Sequence, residues 1–308
     1  MINPFLLIAL FFMVAHCTAQ RKQPVPTRTN NIYSIIIGDQ ELQADPGTGG
    51  RIVAIMLNGH NFLTGKEINE KYWGSTLWPS PQKVWGIDLP ELDNMDYAVS
   101  VEKNILKMVS RKDPRIGLVF TKEISGNIRD SSFTIRYSIT NKSDTIKKIA
   151  PWEVTRVHPN GLAFYPRGKG ERWGNMGVLA EDINGITWFD HEPGKITPAQ
   201  NKFYADGSEG WIAQVNEDII FVKKFPDLPL EKAAPFEAEV EIYTNLSKSY
   251  VEIEQQGAYQ ELRPSASLSW QVSWYIRKLP PGIKRTTGND GLVNYVRNLV
   301  NGHKKSIR

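Results

Sequence analysis

Beyond residue 31 the apolar residues recur with a period of two. Ile32 to Ile37 and Arg51 to Leu57 are rich in β-branched side chains, and the second run follows the turn signal Gly47-Thr48-Gly49-Gly50. Phe133, Ile135, Tyr137 and Ile139 alternate with polar residues and would share one strand face. Further strand-like runs occupy residues 219–222, 237–243, 250–254 and 268–276, with turn formers between them. No segment before residue 288 keeps a helical period for three turns. After it, Leu292, Tyr295, Val296, Leu299 and Val300 fall at helical spacing behind a capping Asn289 or Asp290, and Gly302 is a natural stop. Many strands without intervening helices predict one large all-β sandwich, with a single short α-helix packed on its outside near the C-terminus.

The N-terminus follows a different pattern. Residues 5–14 form an unbroken apolar run, too short to span a bilayer as a helix, and Ala19 stands at a plausible cleavage point before Gln20. Residues 1–19 therefore read as a signal peptide and 20–31 as a polar linker. Residues 32–279 read as the sandwich, and 280–308 as an extension carrying the helix. The expected location is the periplasm or the outside of the cell, with no integral membrane span. Lipid attachment at Cys17, the sole cysteine, is the minor alternative, because His16 stands where a small residue is expected before such a cysteine. Cleavage after Ala19 leaves a chain with neither disulfide nor thiolate chemistry.

Composition narrows the function. Of the 308 residues 41% are hydrophobic and 23% charged, the balance of a folded globular protein rather than a disordered one. A net charge of +4, spread along the chain, gives no nucleic-acid footprint. The five histidines are scattered and no metal-binding His-Glu-x-x-His occurs. The glycines at 59 and 65 and at 168, 170 and 174 are off-register for phosphate or dinucleotide loops, and no Gly-x-Ser-x-Gly elbow exists. No cofactor and no metal are expected.

Three segments carry candidate chemistry. Tryptophan is abundant, with nine copies, and Trp73, Trp78 and Trp85 cluster between Tyr72 and Trp85. Two prolines and a glycine in that stretch predict a loop, a good cleft rim for sugar faces, with Gln82 available to hydroxyls. Filling of the core is the equally weighted alternative. In the second segment, Pro151 to His158, strand parity puts Glu153 and Thr155 on one face and Trp152, Val154 and Arg156 on the other. Glu153 is either a functional carboxylate or half of a structural ion pair. Arg156 could orient a hydroxyl or a carboxylate. His158, before the turn at Pro159-Asn160-Gly161, reads as a loop residue that could swing toward a site. In the third segment, Glu252 and Glu254 share a face roughly 7 Å apart, close enough to raise one pKa. Such a pair suits acid–base work or glycoside cleavage, or is simply a solvated face. Gln255 and Gln256 follow, both able to bond hydroxyls. Tyr165, Arg167, Lys169 and Arg172 could form a basic loop for uronate or sulfate groups, with solvated surface as the plainer reading.

In this order the segments resemble the galactose-mutarotase-like superfamily, the aldose epimerases among them. Gly49-Gly50-Arg51-Ile52-Val53 resembles their early strand. Tyr137 to Asp144 followed by Trp152-Glu153 resembles a mid-chain strand pair, and Ile253-Glu254-Gln255-Gln256 with Leu262-Arg263-Pro264 resembles the stretch bearing their catalytic glutamate. The resemblance runs from about residue 32 to 279 and is closest to a secreted bacterial branch. It implies a β-supersandwich with a sugar cleft on its concave face. It also implies an epimerase mechanism, in which a glutamate takes the anomeric proton while a histidine protonates the ring oxygen. Glu254 falls at the base. The position of the histidine carries Trp152 or Glu153, which makes Glu153 the candidate acid.

The expected catalytic pair is thus Glu254 and Glu153. The expected substrate-binding set is Arg156, Trp78, Gln82, Trp85, Glu252, Gln256 and His158. The expected partner is a mono- or oligosaccharide bound by a monomer, with three functions open: an epimerase-like isomerase, a non-catalytic sugar-binding module, or a lyase or glycoside hydrolase of polysaccharide degradation.

Overall fold

The computed structural model describes residues 22–86 and 88–302. The signal-peptide reading and Cys17 lie outside the described residues. Two large antiparallel sheets face each other. One runs, in spatial order, through Thr27–Thr29, Ile32–Ile37, Gln40–Asp45, Arg51–Leu57, Ser75–Ser80 (β1), Lys147–Val157 (β2), Val251–Gln256, Val240–Thr244 and Lys202–Ala205, with two short strands joined at its sides. The last three are, in chain order, β3 (Lys202–Ala205), β4 (Val240–Thr244) and β5 (Val251–Gln256). The second sheet has ten strands and is centred on Ile219–Lys224, Ser267–Lys278 and Ser132–Asn141.

The alternation seen in the sequence is the alternation of burial. Leu118–Asn127 reads buried and half-buried in strict turn, and Phe133, Ile135, Tyr137 and Ile139 all point between the sheets. Each fully buried large apolar side chain of that layer is worth about 1.5–3 kcal/mol. The outer face of the ten-stranded sheet is covered separately. Leu292, Val293 and Val296 of the helix Asp290–Val300 pack there with Phe164, Trp188 and Trp211. The Asn289 side chain caps that helix by accepting from the Gly291 backbone N–H, as the sequence indicates.

Two expectations need correction. Thr27–Thr29 are not linker; they pair with Ile32–Ile37 and start the first sheet. The tryptophan-rich segment is not a loop either, since Ser75–Ser80 forms a buried strand paired with β2. The prolines are tolerated because Pro79 stands directly opposite Pro151. Gly257 N–H donates to the Pro151 carbonyl from the β5 side, so Pro151 turns its backbone polar groups away from β1 and this pair loses no ladder bond. The Pro79 carbonyl accepts instead from the Trp85 indole N–H at 2.6 Å, which closes the strand's free edge.

Candidate functional site

Register fixes which side chains meet on the face of the first sheet that points away from the second. Trp78 stands opposite Trp152, and Trp152 opposite Gln256. In the neighbouring rows Val154 pairs with Glu254 and Arg156 with Glu252. Glu254 pairs in turn with Glu241, and Glu241 with Tyr204. A cleft of about 250 Å³ opens over this face, lined by Tyr72, Trp78, Gln82, Trp85, Trp152, Lys202, Tyr204, Tyr243, Tyr250 and Glu252. Its walls are aromatic. Trp78 lies 5.4 Å from both Trp85 and Trp152, ring centre to ring centre.

The floor is charged. Lys202 Nζ lies between the Trp152 and Tyr204 rings, 4.8 and 4.9 Å from their centres. It is 2.6 Å from Glu241 Oε2 and 3.3 Å from Glu254 Oε2. Both carboxyls are wholly buried. Burial pushes Glu254 up to about 8, aided by Glu241 and Glu252 and opposed by Lys202. Burial likewise lifts Glu241 to about 7, with Glu237 adding to the rise and Lys202 again opposing it. Lys202 is held well above the usual lysine value, because the two carboxylates outweigh its own burial. Glu241 Oε1 also accepts from the Gln256 side-chain amide at 2.7 Å, while Glu254 Oε1 has no hydrogen-bond partner. Beside this cluster, Glu252 Oε1 accepts from Arg156 Nε at 2.7 Å, and Arg156 Nη1 donates to Thr76 at 2.9 Å.

The sequence-predicted residues divide accordingly. Trp78, Gln82, Trp85 and Glu252 line the cleft. Arg156, Gln256 and Glu254 share its face but lie one layer down, Glu254 beneath Lys202. Glu153 does not belong to the site. Odd parity turns it between the sheets, where it is fully buried and accepts from Tyr137 Oη at 2.6 Å, from the Gln255 side-chain amide at 2.5 Å and from the Trp274 indole N–H at 3.2 Å. Lys223 Nζ, also fully buried, lies 2.9 Å from it. Glu153 is thus the ion-pair alternative, joining β2 to the opposite sheet. His158 is not in the cleft either. It lines a separate cavity with His60, Asn216 and Arg285, because the turn that follows carries it past the end of β2. Two arginines of the expected basic loop, Arg167 and Arg172, both pair with Asp182, and Tyr165 is buried.

Lys202, Glu241, Tyr204 and Tyr243 are site residues that the sequence reading missed. Glu237, Glu239, Glu241 and Tyr243 alternate with Ala238, Val240 and Ile242, the same pattern that singled out Glu252 and Glu254, so a period-two scan for acids could have found Glu241. The four-residue strand of Lys202 and Tyr204 is too short to give such a signal.

No curated protein matches this sequence. Solved structures do match in fold. A galactose mutarotase-like protein from Lactobacillus casei superposes with a TM-score of 0.54 at 10% identity, over 80% of this chain and all of that one. A galactose mutarotase related enzyme from Lactobacillus acidophilus gives 0.53 at 11%, over 82% and 99%. A TPR-domain containing protein from Parabacteroides distasonis gives 0.57 at 14%, over 83% of this chain and 50% of that one. The two-sheet architecture and the superpositions on the two Lactobacillus proteins agree on a galactose-mutarotase-like fold. Within that fold the sequence matches, over residues 82–277, the family described as "Domain of unknown function (DUF4380)", and with nearly two thirds of its length covered the chain belongs to that family.

Proposed function

We propose that the protein binds a carbohydrate in this cleft. The observation that carries the reading is the pairing of clustered aromatic walls with a charged floor. Tyr72 and Tyr243, half-buried in the lining, offer ring surface to the C–H patches of a pyranose, and Lys202 and Glu252 offer a donor and an acceptor to its hydroxyls. The mutarotase-like fold supports the same ligand class. Export to the periplasm or beyond, suggested by residues 1–19, would place the protein among systems that handle extracellular polysaccharide.

A second reading, mutarotase-like turnover, is favoured by one feature. Glu254 has a raised pKa, an unpartnered Oε1 and a second carboxyl, Glu241, in register beside it. Near neutral pH such a pair can hold one proton between its members, so one carboxyl could take the anomeric proton while the other protonates the ring oxygen. None of the residues lining the cleft is a histidine. Lys202 would have to swing aside to expose Glu254, so binding is the primary reading and turnover the additional one.

Charge makes the binding proposal specific. With one proton held between Glu241 and Glu254, the four carboxyls of Glu237, Glu241, Glu252 and Glu254 carry three negative charges against the two positive charges of Arg156 and Lys202. A neutral hexose should therefore bind about tenfold or more tighter than the corresponding uronate or sulfated sugar. Calorimetric titration of the protein with both classes tests this. Tighter binding of the uronate, or no binding of any sugar at millimolar concentration, would overturn the proposal.

A further inference from the structure

We propose that the ligand runs from the cleft past Lys202 and Tyr204 to Trp173, whose free indole face forms a second sugar platform at the sheet edge, so that the ligand is an oligosaccharide rather than a single ring. The inference rests on the carbohydrate reading of the cleft and extends it to a site at the sheet edge.

The geometry is a row across strands. Val154, Glu254, Glu241 and Tyr204 stand opposite one another on β2, β5, β4 and β3. Trp173 continues the row as an isolated bridge partner of Tyr204. Partners directly opposite in an antiparallel pair project to the same face, so Trp173 lies on the cleft side. Three strand spacings separate it from Glu254, about 14 Å, more than one pyranose ring spans.

Trp173 is also held as a platform. Its ring is stacked face to face on Tyr204, with centres 3.7 Å apart and planes 5° from parallel. Its backbone exchanges two hydrogen bonds with Tyr204, of 3.1 and 2.9 Å. Gly174, at φ +102°, packs so tightly on β3 that a Cβ there would come within 2.6 Å of the Lys202 carbonyl, so the chain can pass this close only as glycine. One face of the indole is covered by Tyr204, itself a cleft-lining residue. The other, on the side away from Tyr204 and Lys202, is open: Trp173 is 44% exposed, while Trp152, Trp188, Trp211 and Trp274 are at 2% or less. A rigid exposed indole one ring beyond an aromatic cleft suits the C–H face of a further sugar ring, and its fixed position limits the entropy lost on binding.

A glycan array of neutral mono- to tetrasaccharides, followed by calorimetry on the binders, tests the inference with wild type, Trp173→Ala and Trp173→Phe. In wild type, affinity should rise with chain length. Trp173→Ala should lose about 3- to 10-fold in affinity for the longer sugars and nothing for the monosaccharide. Trp173→Phe should keep most of the gain. Equal wild-type affinity for mono- and tetrasaccharide overturns the second platform and leaves the cleft reading intact. So does equal weakening of both by Trp173→Ala, which would mark the indole as mere support for Tyr204. If no sugar binds wild type, the cleft reading itself fails and this inference fails with it.

Discussion

Glu153→Ala is expected to lower folding stability by about 3–5 kcal/mol, the cost of stranding one member of a buried ion pair. The substitution leaves the Lys223 ammonium fully buried without its carboxylate, and Tyr137 Oη, the Gln255 amide and the Trp274 indole N–H lose their shared acceptor. Lys223 would retain Thr155 Oγ1 and the Ile253 carbonyl as acceptors, at 2.8 and 2.9 Å, which are dipoles and cannot neutralise it. Lys223→Met should cost a similar amount for the mirror-image reason. The double variant Glu153→Ala/Lys223→Met should lose clearly less than the sum of the single losses, because it removes both charges together. Denaturant unfolding of the four proteins measures this. Additive losses would mean that the two side chains do not form a coupled unit, and a loss below about 1 kcal/mol for Glu153→Ala would mean that Glu153 is not the buried link between the sheets.

The second large effect concerns Lys202. Lys202→Met keeps a long side chain between Trp152 and Tyr204 but leaves Glu241 and Glu254 facing each other without a cation. At pH 8 the expected loss is about 3 kcal/mol. Its pH dependence follows from the direction of the carboxyl shifts. The ordinary glutamate value is 4.5, and the folded values of Glu254 and Glu241 are raised to about 8 and about 7. Folding therefore takes up protons, so the stabilisation is fully present below about 4.5 and lost as pH rises through the folded values. Removing the ammonium raises both carboxyls further. The gap between wild type and variant should thus widen from pH 5 to pH 8 and nearly close at the acid end. Thermal unfolding at a series of pH values reads it directly, and a gap that stays constant or narrows with rising pH would contradict the cluster as described.

Much of the fold was legible in the sequence, because a sheet with one buried face writes its period into the chain. The boundaries Ile32–Ile37 and Arg51–Leu57 and the capped C-terminal helix were all readable. The strand Ser75–Ser80 was not, since proline and glycine in a window normally mean a turn. What rescues the strand is a pairing partner, Pro151, more than seventy positions away. The site was half legible for a similar reason. Parity put Trp152 and Arg156 on one face of their strand with Glu153 on the other, and Glu252 with Glu254 on one face of theirs; the structure keeps both divisions, and its register joins the two faces. Parity cannot say which face looks outward. The resemblance to epimerases drew Glu153 toward catalysis, whereas Lys223 and Tyr137, supplied by distant strands, made it structural. Lys202 was invisible locally because its meaning comes entirely from two carboxylates on strands β4 and β5.

The central claim is that a sugar occupies the aromatic cleft, and the tryptophan side chains report on it individually. Trp78, Trp85 and Trp152 line the cleft, with the Trp152 indole N–H buried and unpartnered, while Trp188, Trp211 and Trp274 lie elsewhere in the sandwich. The most direct measurement is a titration of the ¹⁵N-labelled protein with neutral sugars, following the indole N–H resonances by NMR. Saturable shifts of Trp78 and Trp152, with Trp188, Trp211 and Trp274 unmoved, are the predicted result. Sugar binding that leaves Trp78 and Trp152 in place, or no shift of any indole at millimolar sugar, would contradict the claim.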